Sequence, residues 1–149
     1  MKVLLDLNVV LDVVLNRQPW VDDSQRVWDA NQSQTIDGYL AATGLTNLFY
    51  IVRRLADRDR ACTAVRTCLA SFEIIAVDQQ TLRNADVQAG ADFEDNVCIA
   101  CAIEAQLDAI VTRDPTGFTQ SPVLAMTPAE LLKRLATAGP AAPQPTTGS

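Results

Sequence analysis

The stretch Lys2-Val3-Leu4-Leu5-Asp6-Leu7-Asn8 decides how this chain is read. A lysine with an aliphatic stem and three apolar residues run straight into an aspartate, with an asparagine just beyond. A short, unbroken apolar run marks a strand buried on both faces, the kind found in parallel sheets. Asp6 then stands where that strand ends. In open α/β sheets, ligands bind in the crevice beyond the carboxyl ends of the strands. The first strand therefore delivers a carboxylate to such an edge.

Two further stretches point to the same place. Ala91-Asp92-Phe93-Glu94-Asp95-Asn96 is an acidic cluster opening a helix, and Ala109-Ile110-Val111-Thr112-Arg113-Asp114 is a second apolar strand that runs into an aspartate. Asp6, Asp92, Asp95 and Asp114 together would make an acidic crevice. Mg²⁺ and Mn²⁺ prefer oxygen ligands, and such ions can polarise a phosphoryl oxygen and deliver hydroxide near neutral pH. Asp92 and Asp95 lie three apart, on one face of their helix. Without a cation these carboxylates repel, so at least one of their pKa values should rise. Asn8 and Thr112 are placed to orient them. Each piece also has a plain structural role: Asp92 and Glu94 suit a helix start, and Asp114 before Pro115 suits a turn. The combination is what points to metal-assisted phosphodiester chemistry.

Around these stretches the pattern alternates. Strands are expected at Lys2–Asp6, Thr35–Ala42, Phe72–Val77, Asp108–Thr112 and Pro122–Met126. Helices are expected at about Asn8–Leu15, from Asp22, Asp23 or Ser24 as N-cap to Asn31, and from Thr43 or Thr46 to Leu55. Further helices are expected at about Ala61–Ser71, Gln79–Ala89 behind Asp78, Asp92–Gln106, and from Thr127-Pro128 to Ala136, with Ala56–Arg60 as a charged break. Strands alternating with helices indicate a three-layer α/β sandwich with a mainly parallel central sheet of about five strands. One domain over residues 1–137 is expected, with 138–149 a disordered tail of small and polar residues.

Composition narrows the chemistry. The chain has no histidine, which removes His-based acid–base chemistry, His-activated nucleophiles and His-ligated zinc. Of its four cysteines, Cys98 and Cys101 form a C-x-x-C that Cys62 and Cys68 could complete as a zinc site. They fall in an apolar helical run, however, where a thiol behaves as a small hydrophobe. Reduced thiols suit a cytoplasmic protein. The net charge of −6 argues against a surface that grips nucleic acid throughout. No stretch reaches the ~18 apolar residues of a membrane span, and no cleavable leader is evident.

In order and spacing, these residues resemble the PIN domain, the fold of many metal-dependent ribonucleases including VapC-type toxins. The resemblance runs from Val3–Asp12 through Leu45–Arg54, Asp92–Asp95 and Ala109–Asp114 to Met126-Thr127-Pro128, covering about residues 1–135. It implies that Asp6, Asp95 and Asp114 are catalytic and hold Mg²⁺ or Mn²⁺, with Asn8, Asn47, Asp92 and Thr112 in support. It also implies an RNA substrate, an antitoxin protein as partner and a homodimer. Many family members carry a glutamate in the middle helix. This chain has Thr46-Asn47 there, resembling a recurring subfamily variant that has one negative ligand fewer.

Arg113 and Arg17 are the leading candidates for contacting RNA phosphates, with Arg53, Arg54, Arg58 and Arg60 as further members of a basic rim. Tyr39, Phe49 and Tyr50 offer stacking faces, though their spacing suits a core. Two other readings compete. One is a PIN-like domain that binds RNA or protein without cutting. The other uses Asp6 as a phosphoryl acceptor, as in receiver or phosphatase domains. That would want an acid where Asn8 stands and a lysine after a late strand, and the only lysines are Lys2 and Lys133.

Overall fold

The fold is described from a computed structural model covering residues 1–139. β1 spans Lys2–Leu5. It is the middle of a five-stranded sheet with β2 (Asp37–Ala41), β3 (Glu73–Ile75), β4 (Ala109–Val111) and β5 (Leu124–Met126), in the order β3-β2-β1-β4-β5. Every neighbouring pair is parallel. Leu4 lies opposite Tyr39 on one side and Ile110 on the other. The chain builds outward from β1 through β2 to β3, then returns to the opposite side of β1 with β4 and β5. The direction of winding reverses between β1 and β4, where an open sheet leaves a crevice.

Among the described residues seven α-helices cover the sheet: α1 (Leu7–Val14), α2 (Val21–Gln32), α3 (Ala42–Leu55), α4 (Arg58–Ser71), α5 (Gln79–Asp86), α6 (Phe93–Glu104) and α7 (Pro128–Ala138). Side chains of a strand alternate between faces, and β1 divides accordingly. Val3 and Leu5 join Val9, Val10, Val27, Trp28, Leu48, Val52 and Leu131 on one side. Leu4 joins Ile110, Ala85, Val97, Ile99 and Cys101 on the other. Two cores on opposite faces of one parallel sheet make the expected three-layer sandwich, and they explain why β1 and β4 read as continuous apolar runs.

Several boundaries differ from the expected ones. α2 begins at Val21, before Asp22, Asp23 and Ser24, and Trp20 occupies the N-cap position without a side-chain cap. Val21 is 8% exposed, so burial of an apolar residue outweighs the capping preference, while Asp22 and Asp23 still complement the helix dipole. α4 begins at Arg58 within the expected charged break, because Asp57 accepts a hydrogen bond from the Arg60 N–H at 2.7 Å. α7 continues to Ala138. The rest of the expected tail, residues 140–149, lies outside the described residues.

Ile110 is fully buried between β1 and β5. Ile110→Ala should lower stability by about 3 kcal/mol in denaturant unfolding, with an unchanged slope.

Candidate active site

Asp6 follows β1 and is clamped to β4, since its N–H donates to the Val111 carbonyl at 2.8 Å. Its carbonyl accepts from the Val9 N–H at 3.0 Å, so strand turns into helix α1 at this residue. The side chain is nearly buried. Its Oδ2 accepts from the Thr112 hydroxyl at 3.0 Å. Thr112 lies just beyond β4, and its own N–H donates to the Met126 carbonyl at 2.9 Å. The same hydroxyl oxygen accepts from the Asp114 N–H at 3.3 Å. One buried threonine therefore joins the ends of both strands.

Asp114 caps a short 3-10 turn at Pro115–Phe118, taking hydrogen bonds from the Thr116 N–H and hydroxyl. The hydroxyl and then the N–H hold its pKa below the usual value. Asp92 is the N-cap of α6, and its Oδ1 accepts from the Asp95 N–H at 2.8 Å. This fixes the first turn of α6 and with it the Asp95 side chain. Gly117 lets the 3-10 turn approach that side chain. A Cβ on Gly117 would stand 2.8 Å from Asp95 Oδ2. The Ala91 N–H to Gly117 carbonyl bond, 3.1 Å, ties the two segments together.

One cleft is lined by Asp6, Asn8, Asp92, Asp95, Thr112, Arg113 and Asp114, along with Trp20 and Gly117. The acids there are strained electrostatically. Burial, then the charges of Asp92, Asp6, Glu94 and Asp114, push Asp95 up to about 6. Burial raises Asp6 as well, against the Thr112 hydrogen bond, with Glu94 and Asp92 adding to the rise. The rise expected from crowding falls on Asp95 and Asp6, while Asp114 stays readily ionised. Among the described residues, no group of three or more carboxylates or thiols is arranged to hold a metal ion. Mg²⁺ commonly takes only one or two protein carboxylates, completing its shell with water and substrate phosphate. An all-oxygen donor set that repels itself in this way fits such an ion.

The remaining expected residues lie elsewhere. Asn47, exposed on α3, donates to Glu94 Oε1 at 3.2 Å. Glu94 is the acid that sequence reading left as part of a helix start. It shares a second cavity with Asp6, Leu7 and Cys98. Arg113 and Arg17 do not form a free basic rim. Arg113 Nε lies 3.2 Å from Asp12 Oδ2, and Arg17 lies 4.0 Å from Asp12 Oδ1. Asp12 is 0% exposed, and a buried charge is costly unless it is paired. Arg53, Arg54, Arg58, Arg60, Tyr39, Phe49 and Tyr50 do not line the cleft; its aromatic residues are Trp20 and the buried Phe118. In α6, burial pushes the Cys101 thiol up to about 11 and raises the Cys98 thiol well above its usual range, as expected of thiols acting as core residues.

A parallel α/β sheet with acids gathered at its switch point defines a class of fold. Residues 2–116 match the family model described as PIN domain, and the chain belongs to the PIN-domain family. Solved structures agree in fold. VapBC-1 from nontypeable Haemophilus influenzae superposes with a TM-score of 0.66 at 11% identity, covering 87% of this chain and 99% of that one. DNA-bound VapBC from Salmonella typhimurium gives 0.65 at 16% identity, covering 86% and 98%. Mycobacterium tuberculosis VapC20, described as a sarcin–ricin loop cleaving toxin, gives 0.63 at 11% identity, covering 76% and 90%. Comparison with curated protein sequences gives no match.

Because folding raises the Asp95 pKa from 3.8 to about 6, the folded state holds this proton more tightly. The associated stability is present at low pH and is lost as pH rises through about 6. In chelator near pH 8, Asp95→Asn should therefore be more stable than the parent, by about 1 kcal/mol after allowing for solvent screening. Thermal unfolding should show a rise of about 3 °C that disappears near pH 4.5.

Proposed function

We propose that this protein is a metal-dependent endoribonuclease acting on RNA phosphodiester bonds. The observation that carries this reading is the gathering of Asp6, Asp95 and Asp114 in one cleft, with Thr112 bonded to both strand-end aspartates. Family membership supports a nuclease, and the printed description of VapC20 supports RNA as the substrate class.

Asp6, Asp95 and Asp114 are the carboxylates from which Mg²⁺ or Mn²⁺ would draw its one or two protein ligands. When bound, the ion polarises a phosphoryl oxygen and lowers the pKa of a coordinated water. The chain's own groups supply position. Thr112 holds one Asp6 oxygen through its hydroxyl, leaving Oδ1 for other partners. Asp92 fixes the first turn of α6 through the Asp95 N–H. Thr116 holds Asp114 ionised. Asn8 is exposed at the cleft and offers an amide to a substrate oxygen.

The structural neighbours include VapBC complexes, which supports an antitoxin-type protein as a partner. Homodimerisation and a cytoplasmic location belong to the same reading. Among the described residues no helix is long and apolar enough to cross a membrane. A non-catalytic RNA- or protein-binding role is the second reading, and it draws on Asn47, a neutral residue beside Glu94.

With Mn²⁺ and single-stranded RNA, Asp6→Asn and Asp114→Asn should each lower cleavage by about 100-fold or more while the circular dichroism spectrum is unchanged. Thr112→Val, which keeps the shape and removes the hydroxyl, should lose about 10- to 100-fold. Cleavage by Asp6→Asn equal to that of the parent would leave the non-catalytic reading in its place.

A further inference from the structure

The cleft presents a difficulty that its acids do not resolve. A protein of net charge −6 with an acidic centre repels a phosphodiester backbone, and Arg113, the arginine that lines the cleft, is committed to Asp12. Binding must draw on something other than free cations.

Trp20 is 45% exposed, whereas the chain's other tryptophan, Trp28, is 4% exposed in the core. Trp20 stands before α2 and lines the acidic cleft. The Arg113 guanidinium lies over its indole, 4.1 Å from the ring centroid. Arg113 falls between Thr112 and Asp114, so its backbone is set by the site itself. Its guanidinium is anchored in turn, because Nε lies 3.2 Å from Asp12 Oδ2. Among the described residues neither Asp12 oxygen has a hydrogen-bond partner, and Arg113 and Arg17 are the cations paired with it. Swinging Arg113 out to a phosphate would leave a buried carboxylate half-compensated, a costly change. Arg113 is therefore held in place over the Trp20 ring.

We propose that Trp20 and Arg113 form a stacking platform for one unpaired nucleobase at the mouth of the acidic cleft, with Asp12 as the residue that positions it. The inference rests on the ribonuclease reading and names the part of the RNA that this surface takes. Aromatic and guanidinium planes are what proteins use to hold splayed-out bases. Stacking on an aromatic ring is worth about 1–3 kcal/mol per base and needs no net positive charge. A base held here is uncharged, so the surrounding carboxylates do not oppose it. The platform takes single-stranded segments and disfavours paired ones, whose bases are already stacked.

The test uses the full chain, with metal chelated so that nothing is cut, and a short single-stranded RNA. Titration should quench tryptophan fluorescence, because Trp20 is the exposed indole. Trp20→Ala should bind at least about tenfold more weakly and show little quenching, and Trp20→Phe should recover most of the affinity. An abasic strand of equal length should bind parent and Trp20→Ala alike, and a full duplex should not quench. Circular dichroism and melting of both variants should match the parent. With Mn²⁺, Trp20→Ala should raise KM more than it lowers kcat. Equal RNA affinity and equal KM in parent and Trp20→Ala would overturn the platform, as would an equal loss with the abasic strand. If the parent cuts RNA, such a result removes the platform alone. If the parent cuts no RNA with Mn²⁺, the ribonuclease reading fails with it.

Discussion

A single hydroxyl holds the candidate site together. Thr112 donates to Asp6 and accepts from the backbone of Asp114, so the ends of β1 and β4 share one buried polar atom. That bond is available only because β4 pairs with β1 and not with β3. The reversal of winding brings residues 106 apart in sequence into contact. The two cores supply the rigidity. Leu4 and Ile110 fix the strands from one face, and Val3, Leu5 and Val111 fix them from the other. The site thus depends on a pairing that the apolar runs of both strands impose.

A second constraint is the buried charge of Asp12. Burial raises its pKa, while Arg113 and Arg17 act in the opposite direction. The arginines serve the interior first, which decides what the cleft can offer a substrate: fixed carboxylates, one amide, two threonine hydroxyls and an indole. Carboxylates that repel one another, with Asp95 pushed up to about 6, favour a cation that would neutralise them.

Much of this was legible in the chain. Val3–Asp6 and Ala109–Asp114 were readable as strands ending in acids, because strands buried on both faces need unbroken apolar runs. The helix start at Asp92 was readable from its cap. What escaped depended on partners distant in sequence. Asp12 stands in an otherwise apolar stretch, Val9–Leu15, and nothing local pairs it with Arg113. Arg113 and Arg17 consequently looked like free cations. The Asn47–Glu94 bond spans 47 residues and has no local signature. Trp20 stands just before α2 and carries no local sign of the cleft that it lines. Asp22, Asp23 and Ser24 were misread as N-cap candidates because burial of Val21 moved the helix start.

The most direct test of an acidic, cation-holding centre is a Mn²⁺ titration followed by electron paramagnetic resonance, in which the six-line signal of free Mn²⁺ disappears as the ion binds. It should be run on the parent and on Asp95→Asn without RNA. A metal centre at this cleft predicts that the parent removes the signal and that Asp95→Asn does so at least about tenfold more weakly. Equal binding by the two proteins, or none by the parent up to millimolar Mn²⁺, would contradict it.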